Sequence, residues 1–424
     1  MKKIALSTLG CKVNQYDSAV IRGLLESNGY TFVPFSQKAD VYIINTCTVT
    51  NKADYQSRQL IRRSHRLNPD ALIIVTGCYS KRAPLEIKEI PGVSYTVGIR
   101  DLKRVLALIN RVSNRETQPE IKDSFPNFVE HTRAFLKVQD GCNSYCSYCI
   151  VPYTRGRSRS ISKKDTIRSI FKLEEQGYNE IVLTGIHLGA YGWDLDPQFS
   201  LLDLLRSIEE QGVTCRIRLS SIEPMEFNDE LIDFISSSRI ICNHLHIPLQ
   251  SGDNDILARM KRPYNILYFK KLIERLVSKI PDLNIGTDII GGFPGESELN
   301  FKNTIDLIEK LPLGYIHVFP YSRRPGTIAA SFPFQIDGKT IANRTETLRT
   351  LGQKKKESFY NRFTGKRLSV LIESKRDNST GYLKGFSRNY ISVLIDASDD
   401  QINKEMSIRV THIKNGRAFG VMNG

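Results

Sequence analysis

Short apolar strands alternate with amphipathic helices along most of this 424-residue chain, which restricts its fold to the α/β class. In the first hundred or so residues the predicted strands are IALSTL, VYIINT, LIIVTG and SYTVGI. Helices are predicted over about 16–28, 52–67 and 102–112, the first of them ending at Gly29, a residue favoured after helix C-termini. Continuous apolar strands between such helices predict a parallel sheet with helices on both faces.

A second strand–helix series predicts a larger barrel in the middle of the chain. The six predicted strands are FLKVQ (135–139), EIVLTG (180–185), RIRLS (216–220), HLHIPL (244–249), IGTDII (285–290) and YIHVFPY (315–321). The helices between them are predicted over 165–176, 201–211, 229–236, 265–279 and 297–310. This spacing predicts a partial (β/α)6 TIM-like barrel, in which functional groups lie at the C-terminal ends of the strands.

The last part of the chain has a different pattern. A charged helix over about 338–360 leads into short alternating strands with glycine and asparagine turns, which predicts a small antiparallel β-barrel. Residues 361–424 carry eleven Lys/Arg and six Asp/Glu, and the aromatic residues interleaved with these charges are Tyr382, Phe386, Tyr390 and Phe419. A barrel that holds RNA fits this composition, and an aromatic core with a solvated rim fits it equally well.

The expected organisation is therefore a multidomain α/β protein with domains over 1–118, 128–360 and 361–424, and a polar linker over about 114–132. A net charge of +15 favours a polyanionic partner such as nucleic acid, although a solvated basic surface is the alternative. We expect no transmembrane helix, because the chain has no run of about 18 apolar residues. The apolar stretch near the N-terminus is too short for a signal peptide, which predicts a cytoplasmic enzyme.

Three cysteines, Cys142, Cys146 and Cys149, follow the first predicted barrel strand with the spacing Cys-x3-Cys-x2-Cys. A structural zinc site uses four protein ligands, and here His131, which lies outside the loop, is the only nearby histidine. Three thiolates on a four-iron cluster would leave one iron open, as a catalytic site requires. We therefore predict a catalytic iron–sulfur cluster here, with zinc as the alternative.

Three further cysteines, Cys11, Cys47 and Cys78, each follow an apolar strand of the N-terminal domain. Because the C-terminal ends of parallel strands share one edge of a sheet, we expect these thiols to converge. They would form a second three-thiolate site; the alternative is that they are ordinary buried cysteines. The eight cysteines are too few for a disulfide scaffold, and we interpret Cys215 and Cys242 as packing residues.

Short turns follow four of the predicted barrel strands, and three of these turns contain glycine. Their sequences are TGIH (184–187), SSIEP (220–224), PLQSG (248–252) and GGFPGE (291–296). Glycine allows the backbone to approach a ligand closely, so these turns on one rim predict a cofactor pocket. We interpret His187, His244 and His246 as polar rim or core histidines rather than metal ligands.

The complete set of motifs resembles the radical S-adenosylmethionine (radical SAM) methylthiotransferases over essentially the whole chain. That family has an N-terminal three-cysteine domain, a barrel with a Cys-x3-Cys-x2-Cys loop and a C-terminal TRAM-like barrel. The branch that acts on threonylcarbamoyladenosine at position 37 of tRNA is the most similar. The motifs that carry this resemblance are LGCKVNQYDS (9–18), INTCTVTNKAD (44–54), DGCNSYCSYCIVPYTRGRSRS (140–160), LTGIHLGAYG (183–192), HLHIPLQSGD (244–253), TDIIGGFPGES (287–297) and FPYSRRPGT (319–327).

The resemblance implies two [4Fe–4S] clusters and S-adenosylmethionine as cofactors, with an external electron donor. Cys142, Cys146 and Cys149 would hold the cluster whose open iron binds SAM, so that reductive cleavage yields a 5′-deoxyadenosyl radical that activates C2 of the adenine. Cys11, Cys47 and Cys78 would hold the cluster that carries the inserted sulfur, which a second SAM would methylate. Candidate SAM-pocket residues are Gly185, Ser220, Glu223, Gln250 and Asp288. No catalytic residue is assigned beyond the cluster ligands.

The resemblance implies the anticodon stem-loop of tRNA as the partner, and it implies no membrane partner. Candidate RNA-binding residues are Arg155, Arg157 and Arg159 after the cluster loop, and Arg62 and Arg63 on the helix after Cys47. Two alternatives stay open within the same chemistry, namely isopentenyladenosine at position 37 of tRNA and an aspartate of a ribosomal protein. A non-catalytic metal-containing RNA-binding protein is the alternative from another functional class.

Overall fold

The computed structural model describes residues 2–112, 125–128 and 132–422. Contacts divide the chain into two compact units. The first unit consists of Met1–Val129, Gly141–Arg157 and Ser322–Ala330, and the second of Glu130–Asp140, Ser158–Tyr321 and Ser331–Gly424. Most of the predicted linker, and the predicted domain end at residue 118, lie outside the described residues. Within the described ranges, no helix is long and apolar enough to cross a membrane.

The first unit contains a parallel sheet in the strand order β2-β1-β3-β4-β5. Its strands are β1 (Lys3–Thr8), β2 (Thr31–Phe32), β3 (Val41–Thr46), β4 (Leu72–Gly77) and β5 (Tyr95–Thr96). Its helices are α1 (Lys12–Ser27), α2 (Asn51–Leu67), α3 (Cys78–Arg82), α4 (Pro84–Lys88), α5 (Leu102–Val112) and α6 (Val151–Arg155). Alternate residues of β3 enter different cores, with Ile43 on one face and Tyr42 and Ile44 on the other. Burial of both faces explains why these strands are continuously apolar.

The second unit begins with the strand–helix series. Its strands are β6 (Arg133–Lys137), β7 (Gln139–Asp140), β8 (Arg159–Ser160), β9 (Glu180–Thr184), β10 (Arg216–Leu219), β11 (His244–His246), β12 (Asn284–Gly291) and β13 (Tyr315–Pro320). Its helices are α7 (Lys163–Glu175), α8 (Leu201–Glu210), α9 (Asp229–Ser237), α10 (Asn254–Arg259), α11 (Ile266–Lys279), α12 (Glu298–Lys310) and α13 (Gly338–Asn361).

The longer strands form two parallel three-stranded sheets, ordered β10-β9-β6 and β11-β12-β13. Isolated parallel bridges at Ile217–Ile241 and Ser221–His246 connect the two sheets into the predicted open barrel. Strand β11 ends at His246, three residues earlier than predicted. Two residues explain this early end, because Pro248 has no N–H to donate to a neighbouring strand and Gln250 has a left-handed φ of 70°.

The C-terminal strands β14 (Arg367–Arg376), β15 (Leu383–Ser387), β16 (Ser392–Ile395), β17 (Glu405–Lys414) and β18 (Arg417–Met422) close into a barrel. Its pairs are antiparallel, as predicted, except that β16 and β18 are parallel. The end of α13 contributes Phe359 and Tyr360 to the barrel core, and the following Phe363 is also buried there. These features confirm the predicted multidomain α/β fold class.

A buried charge network joins the C-terminal barrel to β9 and β10. Arg216 and Arg218 on β10 both bind Glu180 on β9, with N–O distances of 2.7 and 2.8 Å. Arg216 also donates to the carbonyl oxygen of Phe386 at 2.7 Å, and Arg218 to that of Ser387 at 3.1 Å. Burial acts to raise the pKa of Glu180, but Arg218, Arg216 and Arg133 outweigh it and lower the pKa to about 2.

Candidate functional site

Cys11, Cys47 and Cys78 lie at one edge of the N-terminal sheet. Cys47 directly follows β3 and Cys78 directly follows β4, while Cys11 is the N-cap of α1 just after β1. The parallel register pairs Thr46 with Gly77, so Cys47 and Cys78 leave the sheet at the same level. These positions agree with the predicted convergence.

The backbone next to these cysteines has room only for glycine. Gly10 has a φ of +102°, and a Cβ there would lie 2.9 Å from Cβ of Cys47. Gly77 has a φ of +98°, and a Cβ there would lie 2.3 Å from the carbonyl oxygen of Thr46. Both residues need a backbone conformation that other residues rarely adopt. They therefore allow the cysteine-bearing turns to pack against each other.

The charge of Cys11 contributes to the pKa shifts of both Cys47 and Cys78. Burial raises the pKa of Cys47, and the charge of Cys11 raises it further. Burial raises the pKa of Cys78 to about 12, and the charges of Cys47 and Cys11 add to the rise. Thiolates in this arrangement need a compensating cation, which a bound metal cluster supplies.

Arg155 brings a positive charge to the same thiols. Its guanidinium is almost fully buried and donates to Asn14 and to Asp17, the latter at 3.2 Å. It opposes the rise in pKa of both Cys47 and Cys78, and it also hydrogen-bonds to Cys78. The prediction of an RNA contact for Arg155 is therefore corrected, because a guanidinium buried among these partners does not present itself to a phosphate.

The loop with Cys142, Cys146 and Cys149 has its own backbone hydrogen bonds. The N–H of Cys142 donates to the carbonyl oxygen of Gly156 at 3.1 Å, and the N–H of Cys149 to that of Cys146 at 3.0 Å. The N–H of Ser144 points at the sulfur of Cys142, at 3.4 Å. All three cysteines are partly exposed, in contrast to Cys47 and Cys78, so this loop is accessible to a small molecule.

The segment 322–330 connects both cysteine-bearing regions. Arg324 is 1% exposed and donates to Thr48 at 2.7 Å and to Asp54 at 2.6 Å, just after Cys47. The N–H of Ala329 donates to the carbonyl oxygen of Ser147 at 2.7 Å, inside the second cysteine loop. Arg324 was not among the predicted site residues, although it lies in the motif FPYSRRPGT (319–327).

All eight cysteines are free, and six of them form the two three-thiol sets. Each set supplies three soft donors, which fits a four-iron cluster with one open iron. Cys215 and Cys242 are buried, and burial raises the pKa of both thiols, as expected for packing residues.

The predicted cofactor pocket belongs to the second unit, at the ends of its barrel strands. The N–H of Gly185 points at the hydroxyl of Ser220, at 3.4 Å, and the N–H of Gln250 donates to the carbonyl oxygen of Asp288 at 2.8 Å. Glu223 accepts a hydrogen bond from Arg262. Hydrogen bonds thus link Gly185 to Ser220 and Gln250 to Asp288 along the rim. Glu223 is bound instead by Arg262.

Asp288 lies in a network that the sequence only partly revealed. Its Oδ1 is 2.9 Å from Nε2 of His246 and 3.4 Å from Nδ1 of His317. The hydroxyl of Tyr315 lies 3.0 Å from His246 and 2.9 Å from His244. Burial acts to raise the pKa of Asp288, but His246 and His317 lower it well below its usual range. Among the described residues, Asp288, His246 and His317 form a group that could hold a metal ion.

The histidines that sequence analysis assigned to the rim or core are found there. His244 and His246 are buried, and His187 pairs with Glu226. His317 was not among the predicted site residues, because its position opposite Asp288 depends on the register of β12 and β13.

The remaining candidate RNA-binding arginines are on the surface. Arg62 and Arg63 are exposed on α2, and Arg157 and Arg159 are exposed after the cysteine loop. Exposure permits contact with a phosphate, and RNA binding by these four residues stays a prediction.

Two family models match the chain. Residues 136–308 match the Radical SAM superfamily, and residues 3–98 match the uncharacterized protein family UPF0004. The chain is 40% identical to the threonylcarbamoyladenosine tRNA methylthiotransferase MtaB of Bacillus subtilis (strain 168), over 97% of this chain and 94% of that protein. It is 33% identical to the tRNA-2-methylthio-N(6)-dimethylallyladenosine synthase of Carboxydothermus hydrogenoformans, over 99% of both.

A solved structure also resembles the fold. The radical S-adenosylmethionine methyltransferase TsrM from Kitasatospora setae matches with a TM-score of 0.57 and 15% identity, over 78% of this chain and 77% of that chain. At this identity the match shows a shared fold and nothing about the reaction.

Proposed function

Because the chain belongs to the radical SAM methylthiotransferase family, we propose that it transfers a methylthio group to C2 of N6-threonylcarbamoyladenosine at position 37 of tRNA. Enzymes of this family use S-adenosylmethionine and [4Fe–4S] clusters. The observation that carries the proposal is the presence of two three-thiol sets in one chain, one partly exposed and one mostly buried. Similarity to threonylcarbamoyladenosine enzymes over nearly the whole chain supports the choice of nucleoside.

The two thiol sets have different roles in this proposal. Cys142, Cys146 and Cys149 hold the cluster that binds SAM, and Cys11, Cys47 and Cys78 hold the cluster that carries the sulfur. When bound, the clusters supply an electron for SAM cleavage and a sulfur atom for transfer. The protein supplies placement, since Ser144 donates its N–H to Cys142 and Arg155 lies against Cys78.

Residues of the rim bind SAM. Gly185 packs closely against Gln139, since a Cβ there would lie 2.9 Å from Oε1 of Gln139, and its place at the rim is the basis for including it in the pocket. Ser220 and Gln250 offer a hydroxyl and an amide at the ends of their strands. The low pKa of Asp288 keeps its carboxylate ionised, which suits hydrogen bonds from the ammonium or ribose hydroxyls of SAM. Glu223 has a similar acceptor role, oriented by Arg262.

The RNA partner is the anticodon stem-loop. The net charge of +15 favours association with a polyanion, and the exposed Arg62, Arg63, Arg157 and Arg159 provide guanidinium groups suited to phosphates. An unidentified external donor supplies the electron.

Mass spectrometry of tRNA nucleosides tests the proposal. Cells that lack the gene should lose 2-methylthio-N6-threonylcarbamoyladenosine and accumulate the nucleoside without the methylthio group. Complementation with the wild-type gene should restore the product, whereas Cys142→Ala should not. Loss of the methylthio form of isopentenyladenosine would move the assignment to that alternative, and an unchanged tRNA profile would reject a tRNA substrate.

A further inference from the structure

A cavity of about 470 Å³ lies within the second unit, between β13, α13 and the C-terminal barrel. Its lining includes Tyr315 of β13, Lys356 of α13, Lys384 and Phe386 of β15, and Arg417 of β18. Ligand sites for small molecules usually enclose about 300–1,000 Å³, so the cavity is large enough for one nucleotide. It adjoins the starts of β12 and β13, at Asn284 and Tyr315, and His317 in its lining lies 3.4 Å from Asp288, a candidate SAM-pocket residue.

The charges that line the cavity are mostly positive. Lys356, Lys384 and Arg417 face one carboxylate, Asp377, and that carboxylate already binds Arg417 at 3.1 Å. Burial lowers the pKa of Lys356, and the nearby charges of Lys384 and Arg417 lower it further, although Glu357 opposes this. An anion in the cavity would relieve this repulsion between cations.

Aromatic rings line the same cavity. Phe386 and Tyr390 are stacked with 4.9 Å between their ring centroids, and Tyr315 lies 6.3 Å from Tyr390. Each lysine is held over a ring, Lys356 at 5.2 Å from Tyr360 and Lys384 at 4.7 Å from Phe386. Proteins commonly bind single-stranded RNA with cations next to aromatic rings, because the cations contact phosphates and the rings contact bases. An acidic peptide would use the cations and leave the rings without a partner.

We propose that this cavity binds one nucleotide of the RNA substrate, with its phosphate on Lys356, Lys384 and Arg417 and its base or sugar against the aromatic lining. The inference rests on the proposed tRNA substrate and assigns part of its recognition to this cavity. It involves no chemistry at the bound nucleotide. Its role is to hold the RNA while another nucleotide reacts.

The test compares two double variants of the full-length reconstituted enzyme. Lys356→Ala/Lys384→Ala removes the two cavity lysines, and Lys354→Ala/Lys414→Ala removes two exposed lysines from the same helix and the same barrel. The probe is a labelled anticodon stem-loop RNA, titrated by fluorescence anisotropy over a range of salt concentrations. The cavity variant should bind about tenfold more weakly, and its log–log salt slope should decrease by about 0.7 in magnitude, as expected when one single-strand phosphate contact is lost.

Equal affinities and salt slopes for the two variants would overturn the proposal, because both lose the same net charge. Competition of inorganic phosphate and of poly-glutamate with the labelled stem-loop distinguishes RNA from a free anion or an acidic peptide as the occupant of the cavity. If inorganic phosphate binds in the cavity while stem-loop affinity does not depend on Lys356 and Lys384, the site serves a free anion and the proposal fails. It also fails if only poly-glutamate binding depends on these lysines. If the cavity variant loses RNA affinity but the wild-type enzyme forms no methylthio nucleoside, the proposed reaction fails and the cavity assignment stands.

Discussion

Arg155 and Asp17 form a buried ion pair, with 3.2 Å between Nη2 and Oδ2, although 138 positions separate them in the sequence. Arg155 ends the short helix α6 that follows the Cys142–Cys149 loop, and Asp17 lies on α1 after Cys11. The pair therefore fixes a guanidinium from one cysteine region against the thiols of the other. A cluster held by Cys11, Cys47 and Cys78 would be next to this positive charge.

Replacing Arg155 by methionine should make the cluster at Cys11, Cys47 and Cys78 harder to reduce, because a nearby positive charge stabilises the reduced form. We expect its midpoint potential to fall by on the order of 60 mV, which equals about 1.4 kcal/mol for one electron. An EPR-monitored redox titration in a Cys142/Cys146/Cys149→Ala background isolates this cluster. Arg155→Lys should retain most of the potential, and the exposed Arg157→Met is the matched control. A potential that does not respond to Arg155→Met contradicts the assigned role.

Iron content should separate the two thiol sets. Anaerobically reconstituted protein should contain about eight irons per chain, as two four-iron clusters. The triple change of Cys142, Cys146 and Cys149 to alanine should leave about four, and so should the triple change of the other set. Cys215→Ala/Cys242→Ala is the control and should retain about eight. Stoichiometric zinc in place of iron in the wild-type protein would contradict both sites.

SAM cleavage should distinguish the roles of the two sets. The Cys11/Cys47/Cys78→Ala variant should still form 5′-deoxyadenosine slowly under reducing conditions, while methylthio transfer is lost. The variant of the other set should form none, because it lacks the cluster that is assigned to bind and cleave SAM. Liquid chromatography of the nucleoside products measures both reactions. Cleavage by both variants would show that the radical cluster has been assigned to the wrong cysteines.

Glu180→Gln should destabilise the protein and should do so in a pH-dependent way. Removing one partner of a buried ion pair costs about 3–5 kcal/mol, and here Arg216 and Arg218 both lose their carboxylate. The pKa of Glu180 is lowered from 4.5 to about 2, so its contribution is complete above about pH 4.5 and disappears as the pH falls through 2. Urea unfolding of the apo-protein at several pH values measures this difference. The exposed Glu210→Gln is the control and should have little effect; a pH-independent loss for Glu180→Gln would contradict the role of its charge.

Much of the fold follows from local sequence patterns. The strands that precede Cys47 and Cys78 have the predicted bounds, because continuous apolar runs between helices have few other arrangements. Helix α2 begins at Asn51, one residue before the predicted start, with Thr50 as a cap that accepts from Ala53. The edge that collects the cysteines follows from parallel topology alone.

The burial of particular charged side chains does not follow from such patterns. Arg155 has the same local sequence character as Arg157 and Arg159, yet only Arg155 is buried. Its partners lie in a distant part of the chain, and no periodicity encodes that contact. The same reason applies to His317, whose neighbour Asp288 depends on how β12 and β13 align.

The bonds from Arg216 and Arg218 to the backbone of Phe386 and Ser387 have a consequence for how this enzyme can be divided. Without the last sixty residues, two guanidiniums that are 1% exposed would lose their carbonyl acceptors at Phe386 and Ser387. A truncated chain would thus leave donors of Arg216 and Arg218 on β10 without their acceptors. A remodelled terminal barrel must therefore preserve the two backbone acceptors, at Phe386 and Ser387, that the buried arginines of β10 use.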